Sequence, residues 1–256
     1  MGHETLAADF PGVKHLLSCL LISVIFRIAF PRMKTAWQRW QGILVTGLVL
    51  ATSSLRAGEI AQELSDSYLQ QVKDGKLVVI TEDITGKPWP RVRVYRRIAA
   101  KPEEVAAVFT NYPGATKYIP NLLKSEVSKQ VTPCVAEVDY GVDIPILPDE
   151  YYTARNSLTM KDGVYRIDWK LLRATQTKDS EGCLRIEPYG EESLICYRNL
   201  VTPGSVMAPL LRGKAIEQMR QTVTAIAKEV ESQKQDEPAK LAKEVEALRA
   251  ALASGS

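Results

Sequence analysis

The stretch Val206–Val230, VMAPLLRGKAIEQMRQTVTAIAKEV, decides the fold. Met207, Leu211, Ala215, Met219, Val223, Ile226 and Val230 recur at i, i+3/i+4 spacing and form one apolar stripe of a long helix. Arg212, Glu217, Arg220, Thr224, Lys228 and Glu229 take the opposite side. Thr202-Pro203-Gly204 marks the approach, and Pro209 falls in the first turn, where a missing N–H costs little. Almost everything from Leu77 to Val201 reads as short strands. A long helix after an antiparallel sheet buries its stripe on the concave face of that sheet, which predicts an α+β domain. The stripe either closes an ordinary core or roofs a ligand cavity.

The strands are legible from their own patterns. Arg91–Ile98 alternates, with Val92, Val94 and Ile98 on one face and Arg91, Arg93 and Arg97 on the other. Pro102-Glu103-Glu104 opens a helix with proline first and acids in the positive first turn. Cys134–Ile144 carries Ala136, Val138, Tyr140, Val142 and Ile144 on one face. Asp162-Gly163 is a two-residue hairpin signal that places Met160 opposite Tyr165, Leu158 opposite Ile167, Asn156 opposite Trp169 and Ala154 opposite Leu171. A turn at Tyr189-Gly190 would set Leu184 against Ile195, Gly182 against Tyr197 and Cys183 against Cys196. That last pairing admits a cross-strand disulfide.

The N-terminal part has a different character. From Met33 the chain reads as a basic n-region with Lys34 and Arg39, an apolar h-region from Gly42 to Ala51, and a cleavage site ending at Ala57. The h-region is short for a membrane span. This predicts a leader over residues 1–57, with a start upstream of the true one at Met33, and an exported periplasmic or secreted protein. An N-terminal membrane anchor is the alternative. The leader holds six basic residues (Lys14, Arg27, Arg32, Lys34, Arg39, Arg56) and two acidic ones (Glu4, Asp9), so the formal +3 of the whole chain becomes 27 basic against 28 acidic, a net of −1. That balance excludes the basic footprint of a nucleic-acid binder. Residues 58–88 read as an N-terminal extension, 89–231 as the main domain and 232–256 as a charged helical tail. The tail carries a narrow stripe of Leu241, Val245, Leu248 and Leu252 and is expected to be a partly frayed, solvent-exposed helix, pairing with another chain or with the domain surface being the alternative, with Ala253–Ser256 disordered.

Three segments in this order resemble the START-like (helix-grip, SRPBCC) superfamily, nearest to its polyketide-cyclase-like and coenzyme Q-binding members. They are IAAKPEEVAAVFTNYPGATKYIP (Ile98–Pro120), IPILPDEYYTAR (Ile144–Arg155) and RNLVTPGSVMAPLLRGKAIEQMRQTVTAIAKEV (Arg198–Val230). The resemblance implies a helix-grip fold, a curved antiparallel sheet wrapped around the long C-terminal helix with two short helices after the first strand. It also implies an apolar ligand held between sheet and helix. Asp149-Glu150-Tyr151 departs from the family's pattern of an acid followed by arginine. On this face arithmetic the sheet would supply Tyr140, Asn156, Leu158, Ile167, Trp169, Ile195, Tyr197 and Asn199 to the cavity. The helix would supply Met207, Leu211, Ala215, Met219 and Val223. Trp169 is expected to face the helix, and Trp89 to stand clear of the cavity.

Chemistry for an enzyme is sparse. The two histidines, His3 and His15, both lie in the leader, which removes the commonest general base and metal ligand from the mature chain. No CxxC and no glycine-rich phosphate loop occurs, so neither a cofactor nor a metal is expected. The expected partner is a hydrophobic small molecule or lipid, carried with transient membrane contact. A cyclase acting on a polyketide-like substrate and a ligand-free interaction module are the alternatives. If Met33 is the start, protein recovered from the periplasm begins at or near Gly58. An intact mass that retains the leader on a soluble protein rejects export.

Overall fold

A computed structural model describes residues 58–144, 148–205 and 208–255, so the expected leader, its cleavage site and Met207 lie outside the described residues. The described part opens with two short helices, α1 (Glu59–Gln62) and α2 (Asp66–Lys73). The break falls at Ser65, which is extended and whose Oγ accepts the Tyr68 N–H at 3.4 Å, an N-cap that starts a new helix. Strands β1 (Val78–Glu82) and β2 (Arg91–Ile98) follow. Helix α3 (Pro102–Thr110) is held at its start by the Glu104 carboxylate, which accepts the Lys101 N–H at 2.6 Å. A 3₁₀ turn (Tyr112–Lys117) leads to β3 (Leu122–Thr132) and β4 (Val135–Val142). Then come β5 (Glu150–Lys161), β6 (Val164–Ala174), β7 (Thr177–Tyr189) and β8 (Glu192–Pro203). Helices α4 (Ala208–Asp236) and α5 (Pro238–Ser254) close the chain.

The eight strands make one antiparallel sheet in the order β1-β2-β8-β7-β6-β5-β4-β3. Because β2 pairs with β8 while β3 sits at the far edge, α3 and the 3₁₀ turn must cross the open side of the sheet to connect them. Register shifts in the β3–β4, β5–β6 and β7–β8 pairs bend the sheet. This is the α+β helix-grip architecture, a curved antiparallel sheet around a long helix.

Both hairpin turns show how registers arise. Asp162 and Gly163 take positive φ of 52° and 78°, the two left-handed residues of a type I′ turn, and the β5–β6 pairs are those expected from the sequence. At the second hairpin only Gly190 is left-handed, at 64°, and Tyr189 pairs with Glu192, so the glycine takes the first turn position instead of the second. The register therefore differs by two residues from the expected one: Leu184 faces Tyr197, Gly182 faces Asn199 and Cys183 faces Arg198. A shift of two keeps every side chain on its face, so alternation cannot detect it. It does separate the cysteines. Cys196 now sits opposite Arg185, and Cys134, Cys183 and Cys196 are all free thiols.

Residues 58–82 are built into the sheet. Strand β1 is its edge, and Ile60, Ala61, Leu64 and Val72 cover Tyr95, Leu194 and Cys196 on the convex face. Buried Glu187 accepts the Ile60 N–H at 2.9 Å, and Glu63 pairs with Arg185 and takes the Tyr95 hydroxyl at 3.1 Å. Burial in this layer pushes the Cys196 thiol up to about 12.

The C-terminal tail is not frayed but takes the alternative, packing on the domain. Leu241, Val245 and Leu248 are buried in the main core with Val105 and Val108 of α3, and the helix runs through Ser254. Its narrow stripe has a partner because α3 leaves an apolar face uncovered by the sheet. Arg249 binds Glu103 at 2.6 Å, and Asn111 donates to Glu244 at 2.8 Å. Leu241→Ala is expected to lower stability by roughly 2–5 kcal/mol in chemical denaturation; a loss within ~0.5 kcal/mol, the range of ordinary surface changes, would mean a frayed tail. Thiol titration of unfolded, unreduced protein spanning residues 58–256 should find three thiols, and a single thiol would reveal a bridge.

Candidate functional site

Helix α4 meets the sheet unevenly. From Val223 onward Val223, Ile226, Ala227 and Val230 are wholly buried against Val92, Val94, Ile98, Ile167, Leu184 and Ile195. Before Val223 the helix has no fully buried side chain among those described, and Leu210 is 73% exposed. Between this first half and the sheet lies a cavity of about 320 Å³.

Its floor is Trp169 and Tyr197, with ring centres 5.0 Å apart, and Phe109 reaches down from α3 to 6.3 Å from Trp169. One wall is the Tyr140–Tyr152 stack at 5.0 Å. Tyr112 and Tyr118 of the 3₁₀ segment, and Trp89 ahead of β2, complete an aromatic lining. Eight of the thirteen aromatic residues after position 57 line this one space. Leu211, Ala215, Gln218, Met219 and Thr222 form the roof.

The polar groups inside are neutral. Burial raises the Tyr112, Tyr118, Tyr140, Tyr152 and Tyr197 phenols well above their ordinary range, so all five keep their protons. Asn156 is 3% exposed and donates to the Ala154 carbonyl at 3.3 Å. The Trp169 indole N–H donates to Asn199 Oδ1 at 3.3 Å. The one buried carboxylate at the cavity, Glu150, is occupied elsewhere. Its Oε1 accepts from the Thr175 and Gln176 backbone N–H groups at 3.1 Å each and from the Thr175 hydroxyl at 3.3 Å. Glu150 thus ties down the β6–β7 hairpin at the cavity mouth. Among the described residues no cluster of three or more His, Cys, Asp or Glu side chains could hold a metal ion.

A glycine makes the floor possible. Gly182 sits opposite Trp169 on one side and Asn199 on the other. A Cβ at Gly182 would lie 2.4 Å from a Trp169 ring carbon and 2.3 Å from the Arg198 carbonyl oxygen. The missing side chain lets the indole lie flat across β7.

Of the residues expected to line a cavity, the structure brings together Tyr140, Asn156, Trp169, Tyr197, Asn199, Leu211, Ala215 and Met219. Leu158, Ile167, Ile195 and Val223 do not reach it. They share its face but stand at the end where helix and sheet touch, and they belong to the packed core. Trp89, expected to stand clear, lines the cavity. Phe109, Tyr112, Tyr118 and Tyr152 were not anticipated. The Asn111-Tyr112-Pro113 turn was the available signal, since it directs the chain after α3 back across the open side of the sheet.

No sequence-family model and no curated protein sequence matches the chain, and its likeness to known proteins is one of structure. It is similar to a STAR-related lipid transfer protein from Xanthomonas axonopodis, at a TM-score of 0.55 and 16% identity over 60% of this chain and 93% of that one. Human StAR-related lipid transfer protein 5 follows at 0.54 and 12% identity, over 62% of this chain and 83% of the other. The ZhuI aromatase/cyclase of a Streptomyces species matches at 0.50 and 17% identity, over 57% of this chain and 96% of the other. The chain has a START-like, SRPBCC-type fold.

Gly182→Ala is expected to expel the indole from its place, cost about 1–3 kcal/mol of stability as an overpacked site does, and shift the tryptophan emission. Unchanged emission and stability would mean that Trp169 does not depend on the close approach.

Proposed function

We propose that the protein binds a hydrophobic small molecule or lipid in the cavity between the sheet and the first half of α4, and carries it without transforming it. The observation that supports this reading is the cavity itself, about 320 Å³ lined largely by aromatic and aliphatic side chains and open at its mouth, beneath a helix whose second half is packed on the sheet. Spaces of this size with a few placed polar groups are typical of small-molecule sites. Its structural neighbours include proteins named for lipid transfer. Turnover is disfavoured because the phenols are held protonated and Glu150 is engaged by the hairpin. Cyclisation of a polyketide-like substrate is the competing reading, and one structural neighbour is named an aromatase/cyclase.

Export to the periplasm, on the strength of the n- and h-regions after Met33, belongs to the same proposal. So does loading by transient membrane contact at the mouth, where exposed Leu210 adjoins cavity-lining Leu211.

Organic extraction of protein purified from its native host, followed by mass spectrometry, should recover a stoichiometric apolar compound unchanged by incubation. A compound converted on incubation would support the cyclase reading, and none at all the interaction module. Met219→Asp places a carboxylate against the ligand, where an unpaired charge is costly. It should reduce ligand occupancy at least tenfold while circular dichroism stays native. Full occupancy in a folded Met219→Asp protein would remove α4 from the site.

A further inference from the structure

We infer that the ligand is a neutral, flat compound of two to three fused rings bearing a carbonyl oxygen, and that Asn199 recognises that oxygen. The inference rests on the binding function proposed above and narrows it to a chemical class.

Charge is the first constraint. Among the described residues, the only side chains at the cavity that ordinarily carry charge are Glu150 and Lys214, the latter exposed on the outer part of α4. Among the described residues no cation lies inside to receive a carboxylate or phosphate, and burying either without a partner is costly. A phospholipid head or a buried fatty-acid carboxylate therefore has no place in the interior.

Size and shape are the second. A dry cavity of about 150 Å³ holds one benzene. A cavity near 320 Å³ holds two to three fused rings and is too small for the two acyl chains of a phospholipid. The walls are ring faces in fixed pairs, Trp169 on Tyr197 and Tyr140 on Tyr152, and rings of this kind favour offset stacking on another flat π surface. Met219 is the single flexible thioether among the described lining residues.

Asn199 supplies the third. An indole N–H only donates, so the amide atom it touches must be the oxygen, as placed. With Oδ1 held by Trp169, the amide nitrogen carries two N–H donors and has no partner among the described residues, on a side chain that lines the cavity. A ligand carbonyl seated on the Trp169–Tyr197 floor would accept from it. The neighbouring Asn156 is spent on Ala154 and offers less.

9-Fluorenone and fluorene test this directly, since they share three fused rings and differ by one carbonyl. Calorimetry with the intact mature protein should show fluorenone binding at least as tightly as fluorene, although water solvates the ketone better. Asn199→Leu should reverse that order by about tenfold, and Asn199→Asp, which keeps an acceptor for the indole and loses both donors, should weaken fluorenone similarly. Palmitate and phosphatidylcholine vesicles should not displace fluorenone. If palmitate or the phospholipid binds and neither ring compound does, the ring class is wrong while the binding function stands. If fluorene and fluorenone bind with the same order in wild type and in both variants, Asn199 is not the recognition group and the inference falls. If none of the four probes binds, the binding function itself falls.

Discussion

A straight helix cannot follow a curved sheet over its whole length, and the rest of the structure depends on where the two part. Helix α4 has 29 residues, about 43 Å at 1.5 Å per residue. Its apolar stripe runs unbroken through the sequence, yet the sheet meets it only from Val223 onward, where Val223, Ile226, Ala227 and Val230 are fully buried. Toward the other end the bulged sheet curves away and the same stripe faces an open space. One periodic pattern thus serves two purposes, packing at one end and roofing at the other.

The packed end has to be held firmly for the other to remain open, and α5 contributes to that. It lies against α3, and α3 sends Phe109 into the cavity. Lys234, in the last turn of α4, reaches the Ala99 carbonyl at 2.9 Å and Glu104 at 3.5 Å, joining α4 to the start of α3. These exposed polar links are individually worth ~0–1 kcal/mol. The three buried side chains Leu241, Val245 and Leu248 are worth roughly 1.5–3 kcal/mol each and dominate. The tail's charged composition conceals this, because Lys and Glu on its outer side dilute a stripe only three or four residues long.

Periodicity reveals a face but not a depth. Leu158, Ile167 and Trp169 all belong to the concave face, as their alternation says, but Trp169 borders the cavity while the other two lie in the packed core. Nothing local distinguishes them, since the difference is set by how far each stands from the place where α4 leaves the sheet. The β5–β6 register was readable because Asp162-Gly163 fits one turn type. The β7–β8 register was not, because a single glycine in a Tyr-Gly-Glu-Glu turn suits either central position. Strand β3 gave no signal at all: it is an edge strand whose side chains after Ser125 are exposed, so it carries no alternation. The aromatic wall from Tyr112 and Tyr118 was equally hidden, since it comes from a connection whose path is dictated by β2 and β3 lying far apart in the sheet.

The size of the cavity bears on what occupies it. At ~24 cal/mol per Å³, a dry void of 320 Å³ would forgo about 8 kcal/mol. That is comparable with the entire net stability of an ordinary domain, about 5–15 kcal/mol. The space here opens to solvent at its mouth, so water or a ligand fills it and no such deficit arises. The phenol groups, Asn156 and Asn199 supply the partners that water needs, and the same groups become recognition elements once water leaves. Aromatic faces gain more from a flat apolar guest than from water, whereas the amide nitrogen of Asn199 loses its bond unless the guest brings an acceptor of its own. An apolar surround with a small number of unsatisfied donors is therefore selective without any charge. In the proposed binding function the aromatic residues supply the affinity, and the amide decides which apolar guest is retained.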